Sequence, residues 1–263
     1  MTVFRPLAWT LRNSTRRLLV ALAAAATLLW AFVELADEVS EGEAQPFDVY
    51  VLGLLVDPAD ASARIGPAWL EGVARDVSAL GSTAVLAFLV LATTGFLWLR
   101  GAHRTAGFVV LSVLAGTLLN VGLKMGFDRA RPDILPRAAE VYTASFPSGH
   151  SLMAALVYLT LGAILARAME RRIIKGYVMI LAICVVFSVG LSRVYLGVHW
   201  PTDVLAGWSL GAFWALFCAT LAAWLARRAR ARADPKFAVN AARCGLTCVS
   251  GNCPRHRWRG SVA

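Results

Sequence analysis

Polar and ionisable side chains are concentrated in residues 192–203 (SRVYLGVHWPTD), a stretch that separates two apolar runs. Ionisable groups are costly at the edge of a hydrocarbon-spanning segment, so their presence here indicates a functional site. His199 and Asp203 suit a nucleophile or base with its orienting carboxylate, and Arg193 suits an anion clamp. Pro201 fits the first turn of the next helix, which places His199 just before that helix and lets Asp203 reach back to one ring nitrogen.

A second polar cluster, residues 124–132 (KMGFDRARP), follows another apolar run. A lysine at the end of a span commonly extends to the membrane interface, which is the simplest role for Lys124. Arg131 differs because the proline after it restricts its backbone, and two fixed cations close together suit a multiply charged oxyanion. For Arg129 the simplest expectation is an ion pair with Asp128 or contact with lipid headgroups.

A third cluster, residues 147–150 (PSGH), opens a further apolar run. Ser148 is well placed as a helix N-cap, and Gly149 lets the backbone approach a ligand closely. The helix start offers free amides and a favourable dipole, so the cluster predicts an anion cradle in which His150 can donate a proton. Simple helix capping beside a buried histidine is the alternative for this tetrapeptide taken alone.

Three cations, a helix start and two histidines together suit phosphoryl transfer without a metal, because such a site stabilises the charge on the equatorial oxygens. His199 would attack phosphorus in line and form a phosphohistidine. His150 would protonate the leaving group and then deprotonate the attacking water. No metal and no cofactor are expected in this site.

The elements that must position these clusters are six apolar runs, at about residues 18–36, 77–99, 106–123, 150–166, 176–194 and 202–225. Hydrophobic residues make up 58% of the 263-residue chain and its mean hydropathy is +0.63, which is typical of membrane proteins. The first run could be a signal peptide, but it approaches the ~20 residues of a spanning helix and is interpreted as retained. The chain is therefore predicted to be an all-α membrane protein, a bundle of six transmembrane helices.

Three regions follow from this pattern: an N-terminal segment (1–17), a six-span domain (18–225) and a basic tail (226–263). Residues 37–76, which we call the acidic segment, form a long loop between the first two spans. Apolar residues recur in and just after it at helical spacing, at Trp69, Leu70, Val73, Val77 and Leu80. They predict either an amphipathic helix lying in the interface or an ordinary packed loop helix.

Lysine and arginine are divided unequally between the two sides of the predicted bundle, with 19 on the side of both termini and 7 on the other. This bias predicts cytoplasmic termini and a multi-pass protein of the plasma (inner) membrane. All three clusters then lie on the outer, periplasmic face. The net charge of +10 does not indicate nucleic-acid binding, since the basic residues lie in short blocks between spans.

The three clusters, taken in order, resemble the signature of the type 2 phosphatidic acid phosphatase family. The resemblance covers about residues 124–203, and the six-span layout extends it to about residue 225. It implies a membrane enzyme that removes phosphate from lipid phosphates without a metal, on the outward face. The residues that match the family pattern are His199 as nucleophile, Asp203 as its partner, His150 as acid/base, and Lys124, Arg131, Ser148, Gly149 and Arg193 as phosphate ligands.

The lipid itself is not specified by these motifs, because they recognise phosphate and ignore the tail. Undecaprenyl diphosphate is the favoured substrate, with phosphatidate or phosphatidylglycerol phosphate as alternatives. The tail is expected to reach the site sideways through spans four to six. The related vanadium-dependent haloperoxidases resemble soluble enzymes, so the six apolar runs argue against that activity. An anion-binding transporter without turnover is the alternative from another class.

The tail contains Cys244, Cys248 and Cys253, with His256 nearby. These residues could bind zinc or form disulfides, but their spacing matches no standard zinc template. No metal site is therefore predicted there.

Overall fold

The structure is a computed structural model that describes residues 5–134 and 144–233. Within these ranges the helices are α1 (Arg5–Glu41), α2 (Gln45–Gly53), α3 (Ala68–Ala79), α4 (Thr83–Leu99), α5 (His103–Gly126), α6 (Gly149–Ala168), α7 (Arg172–Tyr195) and α8 (Pro201–Ala233). A short antiparallel hairpin, β1 (Val56–Asp57) and β2 (Asp60–Arg64), lies between α2 and α3 and pairs Val56 with Arg64 and Asp57 with Asp60.

Five helices are long and apolar enough to cross a membrane, and the bent pair α3–α4 makes a sixth candidate span. Their outer surfaces carry large apolar side chains that the protein leaves uncovered, such as Leu99, Leu118 and Ile173. A surface of this kind is stable against lipid and not against water. The predicted all-α membrane fold is therefore confirmed, with six spans when α3 and α4 are counted together.

The second span differs from its prediction as one helix over residues 77–99. The chain bends by 42° between α3 and α4. Ser82 lies at the break in an extended conformation, and its hydroxyl accepts a hydrogen bond from the Val85 amide, so it caps α4. Gly81 precedes it where a Cβ atom would come within 2.5 Å of Val189, so the close approach of α7 requires glycine.

The acidic segment is folded against the start of the loop that carries His199. Arg64 at the end of β2 donates hydrogen bonds to the carbonyl oxygens of Tyr195 (2.9 Å) and Leu196 (3.0 Å). In return, the Tyr195 hydroxyl donates to the carbonyl of Ile65. These contacts satisfy carbonyl groups at the C-terminus of α7, which have no partner within the helix.

Helices α6 and α8 approach each other closely through glycine. A Cβ atom at Gly207 would lie 2.8 Å from the carbonyl oxygen of Ser148, and one at Gly211 would lie 2.4 Å from that of Leu152. Larger side chains would push the helices apart. This contact brings the start of α8, with Asp203, beside the start of α6, with His150.

Phe146 anchors the described end of the connection between α5 and α6. Its side chain is fully buried, stacked on Phe32 of α1 and tilted against Phe127. The neighbouring Ser145 amide donates to the carbonyl of Arg129 (2.9 Å), so the two described ends of this connection are joined by a backbone hydrogen bond.

The chain divides into two compact units, residues 1–220 and 221–263. All the residues discussed as a functional site belong to the first. In the second, the described residues are the last turns of α8, where Arg228 lies 3.9 Å from the centre of the Trp224 ring.

Candidate active site

A cavity of about 600 Å³ lies between α4, α5 and α6. Most of the residues predicted as a site line one part of it: Lys124, Arg131, Gly149, His150, Arg193 and His199. The remaining two, Ser148 and Asp203, are completely buried. The structure thus brings together residues from clusters that lie up to 79 positions apart in the chain.

His199 lies in the short loop between α7 and α8, with its ring only 2% exposed. Its Nδ1 atom is 3.4 Å from Asp203 Oδ2, and its Nε2 atom is 3.2 Å from a guanidinium nitrogen of Arg131. A proton on Nδ1 shared with the carboxylate leaves the Nε2 lone pair facing the cations. Nε2 is therefore the atom placed to attack an anion bound between them.

The pKa of His199 is lowered from 6.5 to about 4. Burial is the largest cause, and the carboxylate of Asp203 opposes it by stabilising the charged ring. The positive charges of Arg131 and Arg193 lower the pKa further. The imidazole is therefore neutral at pH 7, which a nucleophile requires.

Asp203 is held by donors on both oxygens. Oδ1 accepts a hydrogen bond from Arg129 (2.6 Å). Oδ2 accepts from the backbone amide of Trp200 (3.0 Å) and from the Ser145 hydroxyl. The bond from the Trp200 amide is the return half of a capping box, in which the third residue of a helix binds the amide at its N-cap.

Three cations face the cavity from three different parts of the fold. Lys124, in the last turn of α5, donates to the carbonyl of Ala144 (2.8 Å). Arg131 donates to the carbonyl of Val198 (2.6 Å). Arg193 donates through one terminal nitrogen to Ser78 (2.8 Å), while its buried Nε atom makes no hydrogen bond with any described residue. A buried donor of this kind beside two other cations suits an anionic oxygen.

The start of α6 lies beside these cations. Gly149 approaches α5 so closely that a Cβ atom would be 3.2 Å from Asn120 Nδ2 and 3.5 Å from Lys124 Cε. Ser148 occupies the predicted N-cap position, but its side chain makes no capping bond and accepts from the Ser151 hydroxyl instead. The amides of the first turn have no acceptor within the helix and are available to an anion.

Arg129 does not pair with Asp128, which was the simplest expectation from sequence. Its two terminal nitrogens instead donate to Asp203 (2.6 Å) and to Asp48 in α2 (2.6 Å), and all three side chains are buried or nearly so. Sequence reasoning also missed Ser145 and Asn120; the latter lines the cavity with a buried, unpaired Oδ1 atom. Neither residue carries a signal in the sequence, since single serines and asparagines near helix ends are common.

The exposed apolar wall of the cavity lies outside spans four to six, through which the lipid tail is expected to approach. It is formed by the exposed side chains of Ala87 and Leu91 in α4 and of Leu114 and Val121 in α5, which are the second and third spans. A separate cavity of about 610 Å³ does lie among α6, α7 and α8, but none of the candidate site residues lines it. Gly207 and Gly211 of α8 pack directly against the backbone of α6 beside the site.

Residues 5–134 and 144–233 contain no group of three or more His, Cys, Asp or Glu side chains that could hold a metal ion. The cysteines of the tail, Cys244, Cys248 and Cys253, and His256 lie outside the described residues.

Comparison with known proteins matches residues 105–227 to the family model described as PAP2 superfamily. Phosphatidylglycerophosphatase B of Bacillus subtilis is 38% identical over 155 residues, which are 57% of this chain and 74% of that protein. Undecaprenyl-diphosphatase of Sulfolobus acidocaldarius is 41% identical over 69 residues, 26% of this chain and 29% of that protein. The crystal structure of a transmembrane PAP2 type phosphatidylglycerolphosphate phosphatase from Bacillus subtilis has a TM-score of 0.67 at 31% identity, covering 75% of this chain and 94% of that one.

Proposed function

Because the chain belongs to the PAP2 superfamily, we propose that it hydrolyses the phosphate ester or diphosphate of a membrane lipid through a phosphohistidine formed on His199. The family and its phosphatase class agree with the resemblance found in the three motifs. One observation carries the proposal: a single cavity is lined both by the cations and imidazoles and by exposed apolar side chains of α4 and α5.

Binding of the phosphate is assigned to Lys124, Arg131 and Arg193, together with the first-turn amides of α6 at Gly149. Like charges close together in a partly buried site repel one another, and a phosphate dianion relieves that repulsion. The same groups stabilise the charge that spreads over the equatorial oxygens in the transition state. Ser148 supports the helix start from behind, since its backbone amide donates to the carbonyl of Asp203 (3.0 Å).

In the first step, Nε2 of His199 forms a bond to phosphorus while the bond from phosphorus to the leaving oxygen breaks. The leaving oxygen takes a proton from His150, which lines the same cavity in the first turn of α6. Because Nδ1 keeps its proton, the phosphorylated ring carries a positive charge, and Asp203 stabilises it.

In the second step, His150 is neutral after giving up its proton and acts as the base for water. The water oxygen bonds to phosphorus, the P–N bond breaks, and the electron pair returns to Nε2 of His199. Inorganic phosphate and the neutral histidine result, and the proton taken from water restores His150. The cations perform the charge stabilisation, so the cycle is proposed to run without a metal.

The substrate is proposed to be a lipid, because a tail fits the exposed apolar wall between α4 and α5. Undecaprenyl diphosphate is the candidate expected from the sequence, and the similarity to an undecaprenyl-diphosphatase supports it. Phosphatidylglycerol phosphate is the second candidate, which the longer similarity to phosphatidylglycerophosphatase B favours. Both have an anionic phosphate group and a long apolar chain, as the cavity requires.

The site is proposed to face the periplasm, in a multi-pass protein of the plasma membrane with both termini in the cytoplasm. The support is the distribution of lysine and arginine, 19 on the side of the termini and 7 on the side of the site. Reporter fusions at residues 100–105 test this orientation, and we expect a cytoplasmic signal.

The decisive experiment is phosphate release by the purified protein in detergent and EDTA, from a panel of undecaprenyl diphosphate, phosphatidylglycerol phosphate and phosphatidate. We expect turnover of at least one lipid, and loss of turnover in His199→Ala. Asp57→Asn, in the hairpin turn, is the control and should retain activity, since among the described residues its carboxylate accepts only from the amide of Ala59. Binding without release would favour an anion carrier, and near-normal release by His199→Ala would remove the nucleophile assignment.

A further inference from the structure

Asp48 in the acidic segment is completely buried at the start of α8, although 154 residues separate it from Thr202. Its Oδ1 atom accepts a hydrogen bond from the Thr202 amide (2.9 Å), and its Oδ2 atom accepts from the Thr202 hydroxyl. The first amides of a helix have no acceptor of their own. Asp48 therefore caps α8 from a different element of the fold.

Arg129 connects this cap to the candidate catalytic pair. One terminal nitrogen donates to Asp203 Oδ1 (2.6 Å) and the other to Asp48 Oδ2 (2.6 Å). The guanidinium also lies 5.5 Å from the centre of the Trp200 ring, which limits its movement. Arg129 thus bridges the two carboxylates with one hydrogen bond to each, and its planar guanidinium fixes the orientation of one relative to the other.

The bridge determines which oxygen of Asp203 faces His199. Arg129 occupies Oδ1, so Oδ2 is left for Ser145, the Trp200 amide and the ring of His199 at 3.4 Å. A carboxylate free to rotate would lose this arrangement and would hold the ring less firmly in the tautomer that exposes Nε2.

Charge gives Asp48 a second effect on the same pair. A lone arginine bonded to Asp203 would neutralise the carboxylate that must stabilise the positive ring of the intermediate. Because Asp48 shares the guanidinium, the three side chains together keep one net negative charge beside His199. Neither Asp48 nor Arg129 is among the residues that line the cavity, so neither is assigned a contact with phosphate.

We propose that Asp48 and Arg129 are positioning residues for the His199–Asp203 pair, and that helix α2 of the acidic segment is thereby a working part of the active site. The inference rests on the proposed roles of His199 and Asp203. It assigns a function to a segment that lies outside the three motifs and outside the matched family region of residues 105–227.

The test compares Asp48→Asn with Glu71→Gln, a carboxylate of the same segment that also pairs with arginines, Arg64 and Arg75. Lipid phosphate hydrolysis gives kcat and KM, and inhibition by orthovanadate gives the affinity of the phosphate pocket. We expect Asp48→Asn to lower kcat by about 10-fold or more, while KM and the vanadate inhibition constant stay within about 2-fold of the wild type. Glu71→Gln should leave kcat within about 2-fold.

Titration of vanadate-binding sites separates a folding defect from a catalytic one, because misfolded molecules lower the number of sites and not kcat per site. Arg129→Lys provides a second route if Asp48→Asn cannot be purified, since a lysine keeps the charge but cannot bridge two carboxylates in a fixed plane. The same loss of kcat at constant KM is expected. In the double variant Asp48→Asn, Arg129→Lys, the losses of kcat should not add, because both substitutions act through one bridge.

Each outcome decides the proposal. If Asp48→Asn and Arg129→Lys retain more than half of the wild-type kcat per site, or if Glu71→Gln loses as much, the positioning role is wrong. A rise in KM and in the vanadate inhibition constant that parallels the loss of kcat would make the bridge part of phosphate binding instead. An inactive wild type would refute the proposed function itself, whereas an active wild type with an inactive His199→Ala leaves that function intact.

Discussion

Asp203→Asn is the substitution that tests most directly how the candidate site works. The carboxylate accepts from Arg129 on one oxygen, and from Trp200 and Ser145 on the other, where Nδ1 of His199 also lies 3.4 Å away. Asparagine has nearly the same shape but carries two donor hydrogens on one side. In either orientation of the side-chain amide, its NH₂ group faces another donor, the Arg129 guanidinium on one side or the Trp200 backbone amide on the other.

The cost follows from the tautomer of His199. With the NH₂ group toward the ring, Nδ1 must become the acceptor and the proton moves to Nε2, which removes the lone pair that attacks phosphorus. With the NH₂ group toward Arg129, a buried donor faces a guanidinium nitrogen that is also a donor, and Asp203 no longer offers Arg129 a carboxylate. The first arrangement keeps the three cations but turns an Nε2 proton toward the guanidinium of Arg131, 3.2 Å away. The same exchange in a Ser-His-Asp hydrolase lowers kcat by about 10⁴-fold. We expect a loss of about 10³-fold to 10⁴-fold here, equivalent to ~4–5.5 kcal/mol of the barrier.

Phosphate release from the preferred lipid and rapid-quench trapping of labelled phosphoenzyme together provide the assay. The variant should form phosphoenzyme slowly while binding vanadate with near wild-type affinity. Ser145→Ala is the matched control, because it removes one donor to the same oxygen and keeps the carboxylate, and it should cost less than about 10-fold. If Asp203→Asn retains more than a tenth of the wild-type kcat at pH 7, the tautomer explanation is refuted.

Two further predictions concern acid pH and helix packing. Burial lowers the pKa of His199 from 6.5 to about 4, and protonation of the ring removes the nucleophile. We therefore expect kcat/KM to fall as the pH drops through about 4, and not already near 6.5. Stability follows the same sign: the unfolded chain takes up the proton first, so His199 contributes a loss of stability as the pH falls from 6.5 towards 4. An acid limb of kcat/KM near 6.5 that does not follow the second pKa of the substrate phosphate would contradict the assignment. Gly211→Ala should lower both the melting temperature and the activity, because the new Cβ atom would lie 2.4 Å from the Leu152 carbonyl oxygen. Gly107→Ala is the control and should change neither, because a Cβ atom there meets nothing within 4 Å. Equal melting temperatures for the two variants would show that α6 and α8 do not need this close contact.

The helix starts that hold the site could be predicted from local chemistry alone. Proline suits the first helical turn, and α8 begins at Pro201 as expected. The start of α6 at Gly149 follows from Ser148 in the same way, although Ser148 makes no capping bond. The lengths of the spans follow from the long apolar runs, because a helix must be about 20 residues long to cross the hydrocarbon core of a membrane. Local signals and membrane thickness together are enough to place the three clusters at one end of the bundle.

Contacts between distant parts of the chain could not be predicted in the same way. Arg129 and Asp48 are 81 residues apart, and no periodic pattern relates them. With no partner in view, the nearest acid in sequence, Asp128, was the simplest choice for Arg129 and it was wrong. The bend in the second span did leave a signal, because Gly81 and Ser82 interrupt the apolar run with a flexible residue and a cap. The apolar character of residues 83–99 nevertheless favoured one helix over residues 77–99.

The lipid preference of the site depends on residues that the motifs do not include. Every motif residue that lines the cavity carries a charge, an imidazole or a backbone amide, and so recognises phosphate. The rest of the wall comes from α4 and α5, where Ala87 and Leu91 lie one turn apart on the first helix and Leu114 and Val121 lie two turns apart on the second. A lipid tail that moves from the bilayer to the space between these helices stays in apolar surroundings, so hydrophobic burial adds little to its binding free energy. The binding free energy of the tail then depends mainly on how well it fits between the side chains. We therefore expect shape complementarity along α4 and α5 to separate one lipid phosphate from another. Two enzymes with identical motifs would then differ in substrate through these side chains.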